Sequence, residues 1–233
     1  MELLRTRELL AQHLPAAPAR VLDVGGGTGV HAAWLAERGY SVHLVDPVPL
    51  HVERARKHGG FTAAEGDARS LIENDRGTDA VLLLGPLYHL VEQTERLRAL
   101  CEARRVLRPG GVVAAAAITR YMGLLTYCAD GELNADRLKR LLPTIDSGRH
   151  DPSLDFTDAY FHAPQELSAE LSQAGFEDVR VFGVEGPAWT AVDAAGEDGA
   201  RLMDSALLCA RALEADAAML PANAHLFAIG RAA

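Results

Sequence analysis

Apolar residues recur in two rhythms along this chain of 233 residues. Short apolar-rich runs at residues 20–24, 41–45, 80–84 and 112–118, the last two unbroken, read as strands buried on both faces. Between them, apolar positions fall at helical spacing over residues 3–14, 29–38, 50–58 and 92–107. Breakers punctuate the helices: Pro15 and Pro18, Gly39, Gly59-Gly60, and Arg108-Pro109-Gly110-Gly111. Pro49 suits the first turn of the third helix. A further short strand is expected at 61–65. Core-side positions are expected at Val30, Ala33, Trp34, Ala36 and Glu37 in the second helix. In the 92–107 helix they are Leu97, Leu100, Cys101 and the stem of Arg104. Regular alternation of strands and helices predicts a parallel sheet with right-handed crossovers.

After residue 118 the rhythm breaks. Helix-like patches at 121–128 and 134–142 sit inside a polar stretch, 119–163, read as a helical lid inserted over the carboxyl edge of the sheet. A helix at 164–174 closed by Gly175, a strand at 176–183, a helix at 199–215 and a last strand at 225–231 complete one domain, 1–233. There is no internal repeat.

Composition narrows the function classes. A net charge of −9 and a pI near 5.5 argue against a nucleic-acid partner, which calls for a basic face. No apolar stretch approaches the ~18 residues of a membrane span. The opening MELLRTRELLAQHL reads as an amphipathic helix rather than a secretory signal. Three well-separated cysteines, Cys101, Cys128 and Cys209, fit reduced thiols in a cytoplasmic protein, with Cys101 and Cys209 expected in the core. A monomer or a homodimer is expected.

The chemistry concentrates where strands end. Asp23-Val24-Gly25-Gly26-Gly27-Thr28-Gly29 carries a strand into a glycine turn. The glycines permit a tight turn and a close backbone approach to a ligand. Asp46 closes the second strand 17 positions beyond Gly29, where a carboxylate can accept from ribose hydroxyls. The glycine spacing is G-x-G-x-G, not the G-x-G-x-x-G of dinucleotide dehydrogenases, which disfavours an NAD-dependent oxidoreductase. Gly66-Asp67-Ala68 follows the third strand, and its carboxylate either recognises an exocyclic amine or caps the following turn. Gly85-Pro86-Leu87-Tyr88-His89-Leu90 follows the fourth strand, at the edge where open parallel sheets bind ligands. His89 is either a base or a hydrogen-bonding partner of the lid.

Taken in order, VLDVGGGTG, LVD, EGDA, LLLGPLYHL and RRVLRPGGVV resemble class I S-adenosylmethionine-dependent methyltransferases of the ubiquinone/menaquinone-methylase-like superfamily. LGPLYHL, DFTDAYFHAPQEL and VEGPAW are similar to a bacterial subgroup acting on small molecules, often in natural-product pathways. The resemblance runs over about residues 15–231. It implies a Rossmann-like α/β fold: a seven-stranded, mostly parallel sheet of order 3-2-1-4-5-7-6 with strand seven antiparallel. It also implies S-adenosylmethionine as methyl donor. Asp23, Gly25, Gly27 and Gly29 would then lie by the methionine moiety, with Gly85 near its aminocarboxylate. Asp46 would bind the ribose, Asp67 and Ala68 the adenine, and Pro47 and Val48 would pack on the adenine face.

The sequence also departs from related patterns. No N/D-P-P-Y/F follows the fourth strand, no acid set suggests the magnesium of catechol methylases, and no Cys/His spacing suggests zinc. Asp151, Asp155 and Asp158 lack the pattern of a calcium loop and read as solvated acids. Tyr160, Phe161 and Trp189 are core or pocket rim. The expected reaction is methyl transfer to an oxygen or nitrogen of a small-molecule acceptor, with no metal. His89 and then His162 are the candidate bases, with Tyr88 and Tyr160 beside the reacting group. The alternative is a chain of the same fold that binds S-adenosylmethionine without transferring methyl, cyclase-like or regulatory.

Overall fold

The alternating runs become seven strands in one sheet. The computed structural model describes residues 1–154 and 156–233, with Glu197 described by its backbone alone. The strands are β1 (Arg20–Val24), β2 (Ser41–Asp46), β3 (Thr62–Glu65), β4 (Thr78–Leu83), β5 (Leu107–Ile118), β6 (Phe176–Gly183) and β7 (His225–Ala232). The helices are α1 (Glu2–His13), α2 (Val30–Ala36), α3 (Pro49–Arg56), α4 (Pro86–His89), α5 (Gln93–Val106), α6 (Met122–Ala129), α7 (Ala135–Ser147), α8 (Pro164–Gln173), α9 (Trp189–Ala194) and α10 (Gly199–Leu213). The sheet order is β3-β2-β1-β4-β5-β7-β6, as the resemblance implies, with β7 antiparallel.

Burial explains the order. β1, β2 and β4 are buried along almost their whole length, and β5 is buried from Gly111 to Ile118. β3 is half exposed and lies at the sheet edge, paired in parallel with β2. Parallel pairing brings the carboxyl ends of β1, β2 and β4 to one edge, with Asp23 in register with Leu44 and Leu82. The loops that follow those ends carry the residues singled out above.

Several local expectations are corrected. β4 and β5 start earlier than expected because Thr78 pairs with Leu107, with a register shift between Thr78 and Ala80. α7 runs through Pro143 instead of ending at Leu142. Arg120 donates to the carbonyls of Ile145 and Asp146. Gly148, at φ 79°, closes the helix with an N–H to the Thr144 carbonyl. These bonds support the turn that proline weakens. α4 and α9 have no counterpart among the expected helices; Pro86 opens α4 at its first turn. In α2 the buried residues are Ala32, Trp34 and Leu35, while Val30 and Glu37 are exposed. In α5 they are Arg96, Ala99, Leu100, Ala103 and Val106, a stripe at spacings of three and four. Cys101 and Arg104 fall off that stripe and are exposed, and Cys209 is only half-buried, so the cysteines are not core residues.

The described residues fall into two compact units. One comprises 1–9, 117–167 and 181–227; the other comprises 10–116, 168–180 and 228–233. The expected lid segment, 119–163, belongs to the first.

In that first unit, buried Arg5 bonds the Val184 carbonyl and pairs with Glu8 and Glu214. Asn223, also buried, accepts from the Gly186 N–H and donates to the Met219 and Leu220 carbonyls. Its side chain fills the space where a Cβ on Gly183 would fall, at 2.3 Å.

In the second unit, the buried guanidinium of Arg96 meets the buried carboxylate of Glu170 at 2.7 Å. It also donates to the Leu90 and Val91 carbonyls. One arginine therefore ties α5 to α8 and to the end of the α4 loop.

Because both charges are buried, neutralising one leaves the other uncompensated. Glu170→Gln is expected to lower unfolding free energy by about 3–5 kcal/mol, read from urea unfolding. A loss under about 1 kcal/mol would mean that the pair is no more than a surface-type interaction.

Candidate functional site

The site grows from three glycines with three different surroundings. Gly25, at φ 67°, donates its N–H to the Val45 carbonyl at 2.7 Å. A Cβ there would meet Pro86 Cγ at 2.6 Å, so this turn touches the loop after β4. Gly27, at φ 56°, would place a Cβ within 4 Å of nothing. Its open backbone lines a cavity. Gly29, at φ 89°, would drive a Cβ to 2.7 Å from Phe61 Cζ. It is buried, does not line the cavity, and serves the packing of the α2 start against Phe61.

Asp46 ends β2 and is only 4% exposed. Its Oδ2 accepts the Gly27 N–H at 2.9 Å. Its Oδ1 accepts the Val48 N–H at 2.9 Å and faces His51 Nδ1 at 3.1 Å. Asp67, after β3, accepts from the Arg69 backbone and guanidinium, and Arg69 reaches on to Glu95. The Arg69 bond holds the Asp67 carboxyl below its ordinary pKa against a smaller opposing effect of burial. After β4, Pro86 starts α4, which presents Tyr88 and His89 with ring centroids 4.7 Å apart. The protein around His89 shields the imidazole enough to hold its pKa below the ordinary histidine value.

These loops surround a cavity of about 460 Å³. Of the residues singled out in the sequence, Gly25, Gly27, Asp46, Pro47, Val48, Asp67, Ala68, Gly85, Tyr88 and His89 line it together. The lining also contains His51, Arg69, Pro86 and Leu90. His51 lies five positions beyond Asp46 in the first turn of α3; that spacing is its only signal in the sequence.

Asp23 lies beneath the glycine turn, 1% exposed, and its Oδ2 has no hydrogen-bond donor among the described residues. A Cβ on Gly26 would sit 2.7 Å from that oxygen. Burial, and then the charge of Asp46, push the Asp23 carboxyl up to about 7. A sheltered carboxylate of this kind is stabilised by a cationic neighbour. S-adenosylmethionine bears a sulfonium and an ammonium, and its ribose presents hydroxyls suited to Asp46. The two carboxylates and the open face of Gly27 fit that group.

Tyr160 and His162 belong to the other unit. His162 is fully buried, packed edge-on to Tyr160 with centroids 4.8 Å apart. Phe161 and Trp189 are core. Of the acidic loop, Asp151 accepts from Ser153, and Asp155 lies outside the described residues. In the same unit, Glu2, Glu185 and His225 bring ligand atoms within 4.8 Å of one another. Burial would lower the His225 pKa, but the Glu185 carboxylate, 2.6 Å from Nδ1, together with the charge of Glu2 raises it on balance.

Residues 21–111 match a family model described as a methyltransferase domain. An uncharacterized methyltransferase of Mycobacterium bovis is 43% identical over 99 residues, covering 42% of this chain. The match spans 39% of that relative's length. A ubiquinone biosynthesis O-methyltransferase of Xanthomonas oryzae is 31% identical over 188 residues, covering 78% of this chain and 72% of the relative. The crystal structure of an S-adenosylmethionine-dependent methyltransferase from Mesorhizobium loti has a TM-score of 0.63 at 20% identity, covering 97% of each chain. Among the described residues, no helix is long and apolar enough to cross a membrane.

The pKa of Asp23 has a consequence for stability. Its folded value, about 7, lies above the ordinary 3.8, so the folded chain holds this proton more tightly than the unfolded chain does. The resulting contribution is present at low pH and is lost as pH rises from about 4 to about 7. Asp23→Asn carries no such loss. It is expected to melt above the unmodified chain at pH 8, with the gap narrowing towards pH 5 in thermal scans at both pH values. A gap independent of pH would contradict the assignment.

Proposed function

This chain belongs to the class I S-adenosylmethionine-dependent methyltransferases, and from that premise we propose that it methylates an oxygen or nitrogen of a small-molecule acceptor. The observation that carries this reading is the gathering of Gly27, Asp46, Asp67, Ala68 and His89 around one cavity. An oxygen acceptor gains support from the Xanthomonas oryzae relative, which is named for O-methylation. The net charge of −9 supports a small molecule over a nucleic acid. We place the enzyme in the cytoplasm, as a monomer or homodimer, in bacterial natural-product metabolism.

When bound, S-adenosylmethionine supplies an electrophilic methyl group on a sulfonium and leaves as S-adenosylhomocysteine. The chain supplies binding, alignment and a proton acceptor. Asp46 receives ribose hydroxyls, and the half-exposed Val48 packs with Pro47 on the adenine. Asp67 accepts from the exocyclic amine and the Ala68 N–H donates to the ring. The backbones of Gly25, Gly27 and Gly85 leave room for the aminocarboxylate, and Asp23 opposes its positive charge. Because the methyl group is already activated, alignment of the acceptor supplies much of the acceleration.

His89 is the residue to take the acceptor's proton. It lines the cavity, and its lowered pKa keeps the imidazole neutral, hence basic, at neutral pH. His162 is fully buried, and we assign it no proton transfer. Tyr88 packs against His89 and orients it.

A panel of phenols, amines and carboxylic acids incubated with S-adenosylmethionine tests the reading by product mass. The expected result is one added methyl on one acceptor class, with S-adenosylhomocysteine released. Tight cofactor binding with no transfer to any class would favour the cyclase-like or regulatory alternative. With an acceptor in hand, the rate is expected to fall on the acid side below the ordinary histidine value of 6.5, as His89 gains a proton. His89→Gln should remove that limb and lower kcat about 10²-fold or more. Full turnover by this variant would exclude His89 as the base.

A further inference from the structure

Asp46 is more heavily bonded than a ribose-binding carboxylate requires. A carboxylate offers about four acceptor positions. The protein fills three of them: Gly27 N–H on Oδ2, and Val48 N–H and His51 Nδ1 on Oδ1. A vicinal diol brings two O–H donors, one more than the remaining position accepts.

The three protein donors differ in how easily they can leave. Gly27 and Val48 donate from the backbone of loops fixed by the strands, and Gly25 anchors the first of these to Val45. His51 donates from a side chain that is 41% exposed, in the first turn of α3. Since a carboxylate oxygen only accepts, the bond places a proton on Nδ1. Rotation of one half-exposed ring frees Oδ1 without disturbing either loop.

We propose that His51 is a placeholder for a ribose hydroxyl: it occupies Asp46 Oδ1 until a ribose-bearing ligand displaces it. This rests on the cofactor reading of the cavity and adds a conformational step to it. The displaced imidazole swings away from the carboxylate, and its N–H is exchanged for the O–H of the incoming sugar. The exchange makes the site discriminate less between hydroxylated and deoxygenated nucleosides than a free carboxylate would. Each hydroxyl gained at Oδ1 replaces a bond already present.

Adenosine and 2′,3′-dideoxyadenosine are the probes, with S-adenosylhomocysteine as the full-length ligand. Nitrogen-15 labelling of histidine reports the Nδ1–H bonded to Asp46. Saturation with S-adenosylhomocysteine or adenosine is expected to abolish that bonded signal, and saturation with the dideoxy compound to leave it in place. Persistence of the bonded signal with all three ligands would overturn the proposal.

Calorimetry on variants gives an independent reading. In His51→Ala, the ratio of adenosine affinity to dideoxyadenosine affinity should rise about fivefold over the unmodified chain, the worth of one net hydrogen bond. Taking the ratio cancels any packing that the ring itself provides. His51→Asn, whose amide can donate where Nδ1 does, should restore the original ratio. An unchanged or smaller ratio in His51→Ala would overturn the proposal. Failure of S-adenosylhomocysteine itself to bind the unmodified chain would instead overturn the cofactor reading, and the placeholder with it.

Discussion

The carboxylate of Asp46 is the point on which the candidate site depends. It stands at the end of a buried strand and is bonded to the backbones of two loops at once. The Gly27 N–H comes from the turn after β1, and the Val48 N–H from the turn after β2. Each bond is charge-assisted and sheltered from water, which strengthens it. The positive φ angles at Gly25 and Gly27 are what let the first turn bring an N–H to this oxygen. Without the carboxylate, the glycine turn would keep, among the described residues, only the Gly25–Val45 backbone bond to β2. Shape and chemistry therefore come from the same atoms.

The arrangement places two acids close together at the ends of neighbouring strands. Asp23 is buried with no donor among the described residues on one oxygen, and the charge of Asp46 adds to the unfavourable effect of burial. Such strain is tolerated where a ligand will relieve it, which is a common reason for functional sites to sit below their stability optimum. Asp23 is the carboxylate that a positively charged ligand would relieve, whereas Asp46 is already bonded to Gly27, Val48 and His51. Support for the loop after β4 comes from Arg96, whose buried guanidinium holds the Leu90 and Val91 carbonyls, next in the chain after Tyr88 and His89. Backbone loops positioned by buried charge, rather than by apolar packing alone, characterise this edge of the sheet.

Most of the strand framework is legible in the sequence because buried parallel strands leave short apolar-rich runs. Asp46 and the glycine turn are legible for a related reason: they follow those runs at once, while Asp67 follows the half-exposed edge strand β3. What escapes is whatever depends on which face of a helix is buried. Arg96 is charged, and reads as surface, yet its partner Glu170 lies far along the chain and makes burial possible. Cys101 looks apolar and is exposed, one position beyond the stripe that Leu100 occupies. α7 passes through Pro143 because Arg120, distant in sequence, supports its last carbonyls. His51 and Arg69 carry no pattern of their own; only the turn of α3 and the loop after β3 bring them to the two carboxylates. Such pairings are set by tertiary geometry, and local spacing does not encode them.

The cavity at the carboxyl edge of β1, β2 and β4 is where we propose that the adenosine of S-adenosylmethionine binds. A crystal structure of the chain grown with S-adenosylhomocysteine tests it most directly. The expected result is a ribose on Asp46 and an adenine between Val48 and the Asp67–Ala68 loop. A nucleoside bound away from Asp46, or seated there with its adenine remote from Asp67, would contradict it.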